Sequence, residues 1–114
     1  MPEEERKRRS VAIEKRISDV NDSDVRVKVV GAIIEKESAN NTIVLDDGES
    51  KIRVILPDDL FAKSELGKIV RVIGLVAPAL QGEGVEIKGE ITQDFSKIDK
   101  ELYKKYLKLF SQQR

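Results

Sequence analysis

The 114-residue chain contains no cysteine, no histidine and no tryptophan. Without cysteine there is no disulfide framework. Without either cysteine or histidine there is no zinc site of the usual ligands and no nucleophile–histidine pair. The lack of cysteine agrees with a reducing compartment. No stretch approaches the roughly 20 apolar residues that a membrane-spanning helix needs. Met1 to Ser10 is charged almost throughout and has no apolar segment, so it does not read as a signal peptide. The expectation is a soluble, cytoplasmic protein with no membrane partner.

An excess of one charge is also missing. The 21 basic and 21 acidic side chains leave a formal net charge of zero, which gives no overall pull toward nucleic acid or membrane. Their distribution says more than their sum. Residues 1–24 carry six basic and seven acidic side chains, residues 25–94 nine and twelve, and residues 95–114 six and two. The middle is mildly acidic and the tail basic.

Aromatics are scarce, with three Phe and two Tyr, and Tyr103, Tyr106 and Phe110 all fall in the tail. What is abundant is period-two alternation. Val25, Val27 and Val29 alternate with Arg26 and Lys28, the pattern of a strand buried on one face. It continues through Ile33 and Ile34, and Gly31 within it marks a bulge or bend. A second strand, Thr42 to Leu45, runs into Asp46-Asp47-Gly48, a strong hairpin signal. The third, Lys51 to Leu56, places Ile52, Val54 and Leu56 on one face and Lys51, Arg53 and Ile55 on the other. After Pro57, a short helical turn opening on Asp58-Asp59 is expected to put Leu60, Phe61 and Leu66 beneath the sheet. The fourth strand spans Lys68 to about Val76 with Gly74 inside it. After the Pro78 to Gly84 loop, the fifth spans Val85 to about Thr92, with Val85, Ile87 and Ile91 expected inward.

Five short, regularly spaced strands predict an all-β fold, either a five-stranded OB-fold barrel or a small open sandwich. A first strand that bends at a glycine, followed by two hairpins, favours the barrel. Before it, residues 1–24 read as a charged arm with a short helical pattern from Ser10 to about Ser18. Val11, Ile13 and Ile17 are its anchors, and it is too short to stand without packing. Residues 25–94 form the barrel, and residues 95–114 an amphipathic α-helix capped by Ser96 with Asp99 three residues on. At about 100° per residue, Ile98, Leu102, Tyr106 and Leu109 share one stripe, widened by Tyr103, Leu107 and Phe110. That arc is broader than one barrel contact requires. The helix either caps the barrel or buries against partner chains, where its rings would remove much surface from water.

Sequence-tolerant binding of single strands needs aromatic platforms and a basic groove. The strands offer no ring. Candidate nucleic-acid contacts are therefore cations alone: Arg26, Lys28, Lys51, Arg53, Arg71 and Lys88. Lys51 and Arg53 share the face on which OB barrels take ligand, but Asp46, Asp47, Glu49, Glu86 and Glu90 oppose them. Catalysis has little to work with. Asp46 and Asp47 point to opposite faces as strand neighbours and suit turn chemistry better, and no phosphate-binding glycine loop is present. No enzyme activity, catalytic residue, metal or cofactor is expected.

The segments Val25 to Gly31, Ile43 to Gly48 and Gly67 to Gly74, with Gln93-Asp94-Phe95-Ser96 ahead of a helix, resemble the smallest subunit of archaeal replication protein A. The resemblance spans about residues 10–110. It implies a heterotrimeric complex that binds single-stranded DNA in replication and repair, associated with the nucleoid. In that complex the C-terminal helices of three OB subunits bundle, and the small subunit is mainly structural. Ile98, Leu102, Tyr103, Tyr106, Leu109 and Phe110 would then contact larger OB-fold partners. Two alternatives stay open: an autonomous single-stranded DNA- or RNA-binding OB protein of telomere type, and an adaptor whose helix pairs with itself.

Overall fold

The computed structural model describes residues 11–80 and 84–95. Six strands alternate with little else: β1 (Ile13–Glu14), β2 (Arg26–Glu37), β3 (Thr42–Asp46), β4 (Lys51–Ile55), β5 (Ile69–Pro78) and β6 (Val85–Asp94). One turn of 3-10 helix, Ile17–Asp19, follows β1, and one short helix, α1 (Asp58–Lys63), joins β4 to β5. The sheet order is β1-β2-β3-β4-β6-β5, and β2 also pairs with β5. Strands β2 to β6 therefore close into a five-stranded, OB-like barrel, with β1 added beside the start of β2. The C-terminal helix and residues 1–10 lie outside the described residues.

Closure depends on β2 serving two neighbours. Its first half, Arg26 to Ala32, pairs antiparallel with β5, and its second half, Ala32 to Glu37, pairs with β3. Gly31 and a register irregularity between Ile33 and Glu35 mark the changeover. A Cβ at residue 31 would lie 3.1 Å from the Asp46 carbonyl oxygen, so a side chain here would press on the neighbouring strand. The glycine reading holds for the bend. A second bulge opposes Ile73–Gly74 on β5 to Gly89–Ile91 on β6.

Alternation fills the interior with branched aliphatics. Val27, Val29, Ile33, Ile43, Leu45, Val54, Val72 and Ile87 are almost wholly buried, each worth about 1.5–3 kcal/mol relative to exposure. No ring is needed at the centre of so small a barrel. Strand directions put the starts of β2, β4 and β6 at one end and α1 at the other. At the α1 end, Leu60 and Phe61 pack on the core. The Lys36 ammonium sits 4.6 Å from the Phe61 ring centre and donates to the Ser64 carbonyl at 2.8 Å. Ile17 also belongs to the core, with Val20 packed against it.

Several expectations change. Where the Ser10–Ser18 pattern predicts a helix, the chain instead forms β1, parallel to β2 with Ile13 opposite Val27, and then the single 3-10 turn. A helix this short has a costly nucleus, whereas the start of β2 offers ready backbone partners, among them Lys28, whose carbonyl accepts from Lys15 at 3.0 Å. Val11 and Ile13 are exposed, and only Ile17 anchors. Leu66, expected beneath the sheet, is 63% exposed in the turn after α1. Ile91, expected inward, is 42% exposed. The extra residue of the β6 bulge shifts the alternation by one, and a one-residue shift exchanges faces.

The hairpin between β3 and β4 follows its sequence. The Asp46 carboxylate accepts from Gly48 N–H at 2.7 Å, and the Asp47 carboxylate accepts from Glu49 and Ser50 N–H at 2.9 and 2.8 Å. Gly48 has a φ of 95°, in the region that disfavours side chains. Both aspartates are spent on the turn, as its chemistry predicts.

Candidate nucleic-acid interface

The outward face of β3 and β4 follows directly from alternation. With Ile52 and Val54 buried, Lys51 and Arg53 are exposed. Opposite them in register stand Asp46 and Val44. β4 then runs parallel to β6, with Val54 beside Ile87 and Ile55 beside Lys88. This alignment brings Glu86 next to Arg53 and places Lys88 one further step along. Around the barrel, a single row carries Ile55, Lys88, Leu75 and Arg26 on successive strands. Three of the six candidate cations, Lys51, Arg53 and Lys88, thus share one face. Arg26, Lys28 and Arg71 stand on β2 and β5, farther round.

The three arginines are all held by carboxylates. Arg26 Nε lies 2.9 Å from Glu90, and Arg53 Nη2 lies 3.1 Å from Glu37 with its Nε 3.9 Å from Glu86. Arg71 Nη2 donates to Glu14 at 2.7 Å, reaching across β2 to fasten β1. The Arg71 guanidinium also lies 5.2 Å from the centre of the Phe95 ring, a cation–π distance, while its Nε has no hydrogen-bond partner. By contrast, Lys28, Lys51 and Lys88 form no ion pair among the described residues. Lys51 and Lys88 are exposed and Lys28 is half-buried.

Arg71 therefore fastens β1 to the barrel. Arg71→Ala should lower stability by about 2 kcal/mol, the scale of a charge-assisted hydrogen bond. Urea unfolding should show a lower midpoint with an unchanged slope.

Glu86, named in the sequence only as an acid opposing Lys51 and Arg53, has a second role that sequence reasoning missed. It follows β6 alternation to the outside, yet is only 4% exposed. Its Oε1 accepts from the Leu80 N–H at 3.1 Å, two residues beyond β5. A lone acid in an alternating strand gives no signal of such a bond, because its donor is the backbone of a loop. The rings are placed more plainly. Phe61 and Phe95 are the aromatics among the described residues; Phe61 packs on the core and Phe95 lies under Arg71. No strand carries one. The expected partner contacts Ile98, Leu102, Tyr103, Tyr106, Leu109 and Phe110 lie outside the described residues. A groove of about 250 Å³ lined by Lys63, Lys68, Val70 and Thr92 lies at the α1 end, away from the cation face.

No protein-family model matches the chain, and no curated protein matches it in sequence. Solved structures do match. A chain of the S. pombe Stn1-Ten1 complex is similar with a TM-score of 0.70 and 15% identity, over 91% of this chain and 95% of that one. The telomere capping protein Ten1 from Saccharomyces pombe gives 0.68 and 16%, over 90% and 99%. This is an OB-like barrel protein. A chain of the replication protein A heterotrimer bound to single-stranded DNA gives 0.57 and 18%, over 75% of this barrel protein and 67% of its own length. None of the three is named for a catalytic activity. At these identities the likeness is one of fold. Among the described residues of the OB-like chain there is no group of acids that could hold a metal ion, and no helix is long and apolar enough to cross a membrane.

Proposed function

We propose that this chain is a structural and assembly subunit of a complex of OB barrels that holds single-stranded DNA, of the replication protein A kind. One observation carries the reading: the barrel presents no ring on its strands, and each candidate arginine is already engaged by a carboxylate. Binding single strands without stacking forgoes about 1–3 kcal/mol per base, so the barrel alone holds DNA weakly or not at all. Likeness to Ten1 over nearly both full lengths supports a one-barrel subunit. The tail supplies the assembly surface in this proposal, through Ile98, Leu102, Tyr103, Tyr106, Leu109 and Phe110. The larger partners then bring the DNA.

Size-exclusion chromatography with mass measurement tests this directly. The full chain co-expressed with OB-fold partners should elute as a defined hetero-oligomer. A chain truncated after Phe95 should keep its barrel circular dichroism and lose the partners. Retained assembly after truncation would overturn the proposal.

The second reading, an autonomous single-strand binder of telomere type, is favoured by Lys51 and Lys88 standing exposed without ion pairs among the described residues, and by the same likeness to a telomere capping protein. Titration of the isolated chain with labelled oligo-dT at low salt separates the two. Micromolar or tighter affinity supports the second reading.

A further inference from the structure

We infer that the barrel carries a latent phosphate-binding site for single-stranded nucleic acid, closed by its own Glu86 and Glu37 carboxylates. The inference rests on the assembly reading's premise that the barrel alone binds DNA poorly, and it assigns that weakness to particular side chains.

Two donors converge on Glu86. The Leu80 backbone N–H gives it a hydrogen bond at 3.1 Å, and the Arg53 Nε stands 3.9 Å from the same oxygen, Oε1. Arg53 also donates through Nη2 to Glu37 at 3.1 Å. A loop amide beside a guanidinium is the donor set that a phosphodiester oxygen accepts from. Here a nearly buried carboxylate takes its place. Glu86 lies one strand across from Arg53, so the blockade is set by the parallel register of β4 and β6 and costs no loop ordering.

The surroundings fit a nucleic-acid backbone. Lys51 precedes Arg53 by two residues on β4, and Lys88 follows Glu86 by two on β6. Both are exposed and outside any ion pair among the described residues. Two residues along a strand advance about 6.6 Å, so the three cations form a spaced row rather than one cluster. Half-buried Val44, opposite Arg53 on β3, and Ile55, beside Lys88 on β4, flank them, apolar ground for sugars and base edges. The closing acids compete with phosphate for Arg53 without removing the row.

Fluorescence anisotropy of labelled oligo-dT with the full chain at low salt tests the inference. Glu86→Gln keeps an acceptor for Leu80 while removing the charge, and Glu37→Gln removes the charge of the exposed residue that holds Arg53. The double variant should bind at least about tenfold tighter than the parent, the scale of one regained charged hydrogen bond. Its plot of log affinity against log salt should steepen by about 0.7 for each phosphate gained. Adding Arg53→Ala should return affinity to the parent value. Glu65→Gln, a charge change after α1 equal to that of either single variant, should leave it unaltered.

No gain in the folded double variant overturns the inference, as does an equal gain in Glu65→Gln or a gain that survives Arg53→Ala. Displacement of the DNA by poly-glutamate at equal charge also overturns it, because the face would then be a general anion surface. Should Glu86→Gln fail to fold, Glu37→Gln alone must still tighten binding. Equally weak binding by parent and variants sinks this inference and leaves the assembly reading standing. Tight binding by the parent sinks the assembly reading itself.

Discussion

Gly74→Val will unfold the barrel or leave it severely weakened, with a loss of at least about 3 kcal/mol, the upper end of ordinary overpacking costs. Gly74 lies at the bulge where β5 and β6 change register. A Cβ there would collide with the Lys88 carbonyl oxygen and stand 2.8 Å from Ile87 Cγ2 and 2.9 Å from Gly89 Cα. Two of those three contacts are backbone, which cannot rotate away. Relief requires separating the strands that also seat Lys88 and Glu86. A domain of this size has roughly 5–15 kcal/mol in total, so the loss is a large fraction. Gly67→Ala provides the contrast. Its Cβ would meet nothing within 4 Å, and only the φ of 86° is unfavourable, a cost of about 1–2 kcal/mol. Urea unfolding of both variants checks the pair. Equal midpoints for the two would refute the close-approach argument.

Asp24→Ala will be nearly as damaging. Lys15 Nζ lies 2.7 Å from Asp24 Oδ1, and the two side chains are only 5% and 10% exposed. The same carboxylate accepts from the Asn21 N–H at 3.0 Å, which shapes the turn into β2. Removing Asp24 leaves an ammonium in a site from which water is largely excluded, and orphaning one partner of a buried pair costs about 3–5 kcal/mol. The melting temperature should fall by more than about 10 °C. Replacing both partners, as Lys15→Met with Asp24→Leu, removes the charge together with its counterion and should recover most of the loss. If the double variant melts no higher than Asp24→Ala, the damage comes from the turn and not from the stranded charge.

These effects join to function through position. The bulge at Gly74 and Gly89 fixes where β6 meets β4, and that register puts Glu86 beside Arg53. The Lys15–Asp24 pair holds the segment whose Ile17 joins the core, and whose Glu14 takes up Arg71. The features that stabilise the fold also neutralise its cations.

Much of the fold was legible in particular residues. The alternation of Val27 and Val29 with Arg26 and Lys28, the Asp-Asp-Gly turn, and Asp58-Asp59 after Pro57 all rest on short-range rules. They produced strands, hairpin and helix close to where they stand. The outward placement of Lys51 and Arg53 was equally plain. The state of those cations was not. Arg71 meets Glu14 across 57 residues of chain, and Arg26 meets Glu90 across 64. No periodicity links such positions.

By itself, the sequence determined the five barrel strands, the inner and outer face of most of them, the turn chemistry and the lack of rings on the sheet. All of these depend on neighbours a few residues apart. Only the tertiary structure decided that residues 13–14 join the sheet instead of forming a helix, that the β6 bulge turns Ile91 outward, and that Glu86 closes over Arg53. Those outcomes depend on which strands meet and in what register, and closing the barrel sets that for all five strands at once.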